Sequence, residues 1–107
     1  MFGQVFYNLV DNSLRHGSHL SHIRIGGAPS GDDYLLVYED NGGGVDDADK
    51  ERIFRKGYGK NTGLGLFLTR EILALTDIRI RETGKHGEGV RFEIRIPPGS
   101  YRIDPNN

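Results

Sequence analysis

The sequence predicts an α+β fold, a two-layer α/β sandwich with helices packed on one face of a mixed, mostly antiparallel sheet. Two segments, 2–16 and 63–75, repeat apolar residues at helical spacing. Segments near 22–27, 34–40, 78–82 and 90–96 carry the apolar and β-branched patterns of strands. The order is helix, two strands, glycine loop, helix, two strands. Helices segregated from a sheet of this kind form two layers around one core.

In the first helix Phe2, Val5, Phe6, Leu9 and Val10 mark one apolar face. No capping residue precedes it, which predicts a boundary placed inside a domain. Gly17 and Ser18 suit its end, since glycine accepts the left-handed conformation there. Ile23 and Ile25 flank Arg24 in strand alternation, and Pro29-Ser30-Gly31-Asp32-Asp33 reads as the turn to a partner strand over 34–40. Asp40-Asn41-Gly42-Gly43-Gly44 cannot be regular structure. Asp46 to Phe54 reads as a short helix. In the second long helix Leu64, Phe67, Leu68, Ile72 and Leu75 are apolar. Ile78, Ile80 and Glu82 lead into a turn at Gly84-Lys85-His86-Gly87. Val90, Phe92, Ile94 and Ile96 then alternate with Arg91, Glu93 and Arg95 until Pro97-Pro98 stops the strand. Residues 1–99 form the expected domain, and 100–107 a loosely held tail.

At 107 residues the chain accommodates one small domain, and 36% hydrophobic residues allow a modest core. A formal net charge of −1 gives no electrostatic reason to expect a nucleic-acid or membrane partner. The absence of cysteine excludes disulfides, thiolate metal sites and cysteine nucleophiles. No stretch approaches the ~18 apolar residues that suggest a membrane span. Met1 to Val10 lacks the basic leader of a signal peptide. A cytoplasmic setting is expected, with the parent protein either soluble or membrane-anchored.

Three patterns carry chemistry. Asn8, Asn12 and Arg15 share one helix face, with His16 and Asp11 beside them. Carboxamide oxygens are hard ligands suited to magnesium, and arginine suits phosphate oxygens. Asp40 ends a strand just where glycines begin. Glycine lets a flat ligand approach, and the carboxylate offers an acceptor to the exocyclic amino group of adenine. Thr62-Gly63-Leu64-Gly65-Leu66 opens a helix whose free N–H groups and dipole favour an anion. The preceding stretch, with Lys56, Tyr58 and Lys60, has the length of a lid. Singly, each pattern also fits a bland role: a solvated helix face, a glycine turn, a tight start to a helix. Neither the dinucleotide-binding nor the phosphate-loop spacing is met.

Together the patterns closely resemble sensor histidine kinases. Asn8-Leu-Val-Asp-Asn12-Ser-Leu-Arg15-His16 is similar to their N box, and Asp40-Asn-Gly42-Gly-Gly44 to their first glycine box. Arg52-Ile-Phe54 resembles the F box, and Thr62-Gly63-Leu64-Gly65-Leu66 the second glycine box. The resemblance covers nearly the whole chain. It implies a Bergerat fold, N-terminally truncated, that binds ATP with Mg2+. By that resemblance Asn12 and Asn8 would hold magnesium, and Arg15 would stand where a phosphate-contacting lysine is usual. His16 would lie against the nucleotide, and Asp40 would fix the adenine amino group. Gly42 and Gly44 would shape the base pocket, while Gly63, Gly65 and Leu66 would border the phosphates. Gly43 in place of Pro, Asn61 in place of Gly, and a short lid depart from the pattern.

Hydrolysing relatives of the superfamily resemble Glu-x-x-x-Asn, with the Glu as base toward water. Here Asn8 stands first, and an amide does not take up that proton. The implied activity is therefore transfer of the ATP γ-phosphoryl group to a histidine on a separate domain. The implied partners are the dimerisation and phosphotransfer domain of the same protein and, downstream, a response-regulator receiver domain. The parent would be a homodimer. The acceptor histidine is expected upstream, with no catalytic residue inside this segment. The alternatives are a nucleotide-binding regulatory module without transfer activity and a slow ATPase.

Overall fold

A computed structural model describes residues 2–16, 20–57 and 65–99, with the backbone alone for His16. Helix α1 spans Phe2–His16. Strands β1 (Ile23–Ser30) and β2 (Asp33–Asp40) follow. Helix α2 is Gly65–Ala74, and strands β3 (Arg79–Glu82) and β4 (Arg91–Ile96) complete the order.

The strands form one sheet in the order β1-β2-β4-β3, and every pairing among them is antiparallel. The β1–β2 connection is tighter than the sequence suggests. Pro29 and Ser30 pair with Tyr34 and Asp33, so the turn contracts to Gly31 and Asp32. Gly31 takes φ +62°, which glycine adopts without penalty. Proline is tolerated there because β1 is an edge strand, bonded among the described residues only to β2.

Register decides which residues face inward. Tyr38 stands opposite Phe92 and Leu36 opposite Ile94, while Ile80 meets Ile94 from the other side. Period-two alternation puts these on one sheet face, which the helices cover. Val5, Leu9, Tyr38, Leu73, Phe92 and Ile94 are fully buried there. Each such side chain contributes about 1.5–3 kcal/mol through removal from water.

The expected helix over 46–54 is replaced by short 3₁₀ turns, Asp47–Asp49 and Arg52–Phe54. Asp46 caps the first by accepting from the Ala48 N–H at 3.1 Å. The second exists to bury Ile53 and Phe54. Phe54 meets Phe92 edge-on at 6.1 Å, and the Arg70 guanidinium lies 4.4 Å above its ring. A longer α-helix would carry those side chains out of the core. Helix α2 also stops before Leu75, which is exposed in the following turn. Among the described residues no helix is long and apolar enough to cross a membrane.

Candidate functional site

Helix α1 joins the two other elements that carry motif residues. Its middle touches the start of α2, and its last turn touches the end of β2.

At the first junction, Asn8 donates through Nδ2 to the Gly65 carbonyl at 3.3 Å and to Thr69 Oγ1 at 3.1 Å. Its Oδ1 accepts from Gln4 Nε2 at 3.0 Å. Thr69 is fully buried and donates back to the Gly65 carbonyl at 2.8 Å. Asn8 thus fastens α1 to the first turn of α2. The side chain of Asn12, one turn onward and half-buried, has no hydrogen-bond partner among the described residues.

At the second junction, Asp40 is 8% exposed and its carboxylate is held on both oxygens. Oδ1 accepts from the Gly42 N–H at 2.9 Å and from the Val90 N–H at 3.1 Å. Oδ2 accepts from Ser13 Oγ at 2.6 Å. A carboxylate has about four acceptor positions, so Oδ2 retains capacity for another donor. Gly42 is buried against this group, and Gly44 has φ +78°. A Cβ on Gly44 would stand 2.9 Å from the Gly89 carbonyl oxygen. The glycines therefore allow the loop after β2 to lie directly on the turn before β4, where Gly87 N–H donates to the Gly43 carbonyl at 2.7 Å.

The sequence reading missed a tie beneath that loop. Lys50 Nζ bonds Glu82 Oε1, the Gly84 carbonyl at 2.7 Å and the Val45 carbonyl at 3.3 Å. The Glu82 side chain has no exposed surface, and its Oε2 accepts from the Gly84 and Arg91 N–H groups at 3.1 and 3.0 Å. One ion pair thus joins the loop after β2 to the β3–β4 turn. The available signal was Glu82 itself, a charged residue on the inward parity of a strand with Ile80. Ser13 was missed too, although its spacing of four from Leu9 and eight from Val5 puts it on the apolar stripe.

The other expected residues divide. Arg15 is exposed and its Nε bonds Asp11 Oδ2 at 2.9 Å along the helix, rather than standing free. Gly65 opens α2, but the Leu66 side chain is buried in the core, so only its backbone is on offer. Lys56 is exposed next to Gly57. Tyr58, Lys60, Thr62, Gly63 and Leu64 lie outside the described residues, as does the His16 side chain. Magnesium ligands fit in part. Asn12 offers a hard oxygen with no competing partner among the described residues, whereas Asn8 Oδ1 is engaged by Gln4. No cluster of His, Cys, Asp or Glu among the described residues would hold an ion by itself. Phosphate oxygens would have to complete the shell.

Comparison with known proteins bears on this arrangement. The family described as "Histidine kinase-, DNA gyrase B-, and HSP90-like ATPase" matches residues 1–100. The alginate biosynthesis sensor protein KinB of Pseudomonas aeruginosa is 38% identical over 102 residues, covering 88% of this chain and 17% of KinB. The sensor protein ChvG of Agrobacterium fabrum is 31% identical over 110 residues, covering 89% of this chain and 18% of ChvG. This chain therefore spans less than a fifth of either relative. Among solved structures, the catalytic domain of the histidine kinase ThkA superposes with TM-score 0.74 at 27% identity, over 88% of this chain and 65% of that one. Full-length ShkA in complex with AMPPNP gives TM-score 0.79 at 21% identity, over 88% of this chain and 20% of that one, a likeness of fold.

Proposed function

This chain belongs to the histidine kinase-, DNA gyrase B-, and HSP90-like ATPase family, and on that premise we propose that it is the ATP-binding catalytic domain of a two-component sensor histidine kinase. The observation that carries the reading is Asp40. A buried carboxylate acceptor at a strand end, in a loop of glycines, suits a base with an exocyclic amino group. Oδ1 is held by backbone donors, and Oδ2 keeps capacity for the ligand. The sensor-protein names of KinB and ChvG, and the AMPPNP bound by ShkA, support the same assignment.

ATP supplies the transferable phosphoryl group, and this chain's residues bind and orient it. Asn12 would offer its carboxamide oxygen to Mg2+, which would neutralise phosphate charge. The amide N–H groups at the start of α2 would face the phosphate charge. Asn8, in the position where hydrolysing relatives carry a base, donates to Gly65 and Thr69 and activates no water. The γ-phosphoryl group is thereby left to a nucleophile brought from elsewhere, an imidazole nitrogen on a phosphotransfer domain of the same parent. A receiver domain would accept it next. Positioning and charge neutralisation are the main demands of such a step.

Calorimetry with ADP and Mg2+ tests the binding reading. Wild type is expected to bind and Asp40→Ala to lose at least tenfold in affinity, the equivalent of about 1.4 kcal/mol. Equal binding by both would overturn the role of Asp40. Incubation with radiolabelled ATP tests the transfer reading. Label should pass to a supplied phosphotransfer hairpin and not to this chain; strong self-labelling would contradict it.

A further inference from the structure

Asp40 does not hold its orientation alone. Two buried hydroxyls stand behind it, Ser13 at 1% exposure and Tyr38 at 0%. Ser13 Oγ lies 2.6 Å from Asp40 Oδ2 and 2.8 Å from the Tyr38 hydroxyl. The Tyr38 hydroxyl also lies 3.2 Å from the Leu9 carbonyl.

Counting protons gives the chain a direction. Ser13 Oγ donates to Asp40 Oδ2, so the single Ser13 proton is spent there. Ser13 Oγ then has only lone pairs to show Tyr38. If the Tyr38 proton pointed solely at Leu9, two oxygen lone pairs would face each other at the Ser13–Tyr38 distance. The Tyr38 proton therefore turns to Ser13, with Leu9 as a longer second acceptor. The direction runs from Tyr38 through Ser13 to Asp40. Burial raises the Tyr38 pKa above its ordinary 10.0; the Ser13 hydrogen bond opposes that rise and the Asp40 charge adds to it. The phenol stays a donor throughout the neutral range.

These groups come from different elements. Tyr38 is two residues before Asp40, on the same face of β2. Ser13 follows Asn12 on α1. The pair thus ties the base-reading carboxylate to the helix that carries the carboxamide expected at the metal. We propose that Ser13 and Tyr38 are positioning residues for base selection: their directed hydrogen bonds lock Asp40 Oδ2 so that its remaining lone pair meets a 6-amino purine and disfavours a 6-oxo purine. The inference rests on the proposed reading of Asp40 as the adenine acceptor.

Titration of ADP and IDP, which differ in the amino and oxo groups at that ring position, tests it in wild type, Ser13→Ala, Ser13→Thr, Tyr38→Phe and Asp40→Asn. Wild type should prefer ADP by about tenfold or more, as loss of one buried acceptor contact implies. Ser13→Ala and Tyr38→Phe should weaken ADP by roughly three- to tenfold and leave IDP nearly unchanged, so that the ratio contracts. Ser13→Thr, which keeps the hydroxyl, should restore it. A purely structural role would lower melting temperature and weaken both nucleotides together. Should Ser13→Ala fail to fold, Tyr38→Phe keeps the ring packed on Phe92 and carries the same readout. A wild type that binds ADP and IDP equally overturns the Asp40 reading and this inference with it. A wild type that discriminates, alongside Ser13→Ala and Tyr38→Phe variants with an unchanged ratio, overturns this inference alone.

Discussion

Asn8 and Asn12 look equivalent in the sequence, and their surroundings separate them. Asn8 directs its amide protons at Gly65 and Thr69, whereas the Asn12 side chain makes no hydrogen bond to a described residue. Asn8→Ala should therefore cost about 1 kcal/mol in urea unfolding, because the Thr69 hydroxyl still serves the Gly65 carbonyl. Asn8→Asp should cost more, about 1–3 kcal/mol, since a carboxylate would face that carbonyl with no donor between them. Asn12→Ala should change stability by less than about 0.5 kcal/mol. It should instead weaken ADP binding in the presence of Mg2+, with the difference from wild type vanishing in EDTA. An Asn12→Ala effect that survives chelation would deny the metal role.

The loop after β2 and the turn before β4 act as one unit. Lys50 and Glu82 hold it from below, and glycines let the two backbones touch. Removing one member of a buried ion pair strands the other charge. Lys50→Met should lower stability by about 3 kcal/mol, and the double variant Lys50→Met/Glu82→Leu by less than the sum of the single changes. Additive effects in denaturant melts would show that the pair is not coupled. Gly89 is the tighter constraint. Its φ is +112°, and a Cβ there would collide with the Asp40 carbonyl oxygen. Gly89→Ala should shift the loop that carries Asp40 and Gly42. Nucleotide affinity should then fall further than the melting temperature alone implies, whereas Gly31→Ala, in a turn with open space around it, should leave affinity unchanged.

Across the whole molecule, the core lies on one sheet face and an arginine-rich polar face lies on the other. Glu93 sits on that outer face among Arg81, Arg91 and Thr83. Burial acts to raise its pKa, but the Thr83 hydrogen bond and the two arginines prevail and hold it below its ordinary 4.5. A depressed carboxylate stabilises the fold at pH above its unfolded-state value and ceases to do so as pH falls through its folded-state value. Glu93→Gln should therefore be less stable than wild type at pH 7 and approach it as the pH falls below the ordinary carboxylate range. A constant gap across that range, followed by denaturant melts, would remove Glu93 from the acid response. Local patterns carried much of this molecule into view before any fold was seen. Helical and alternating periodicities, glycine turns and the position of Asp40 depend on neighbours a few residues away, and α1, β2, α2 and β4 follow from them within a few residues. The 3₁₀ turns at 47–54 did not, because Phe54 answers to Phe92 and Arg70, which are distant in the chain. The bonds of Ser13 to Tyr38 and Asp40, and of Lys50 to Glu82, were also beyond reach of the pattern, since those partners stand 25 to 32 residues apart. A period shows which face a side chain takes; which polar group it meets on that face depends on how separate elements pack, and packing is a property of the assembled core.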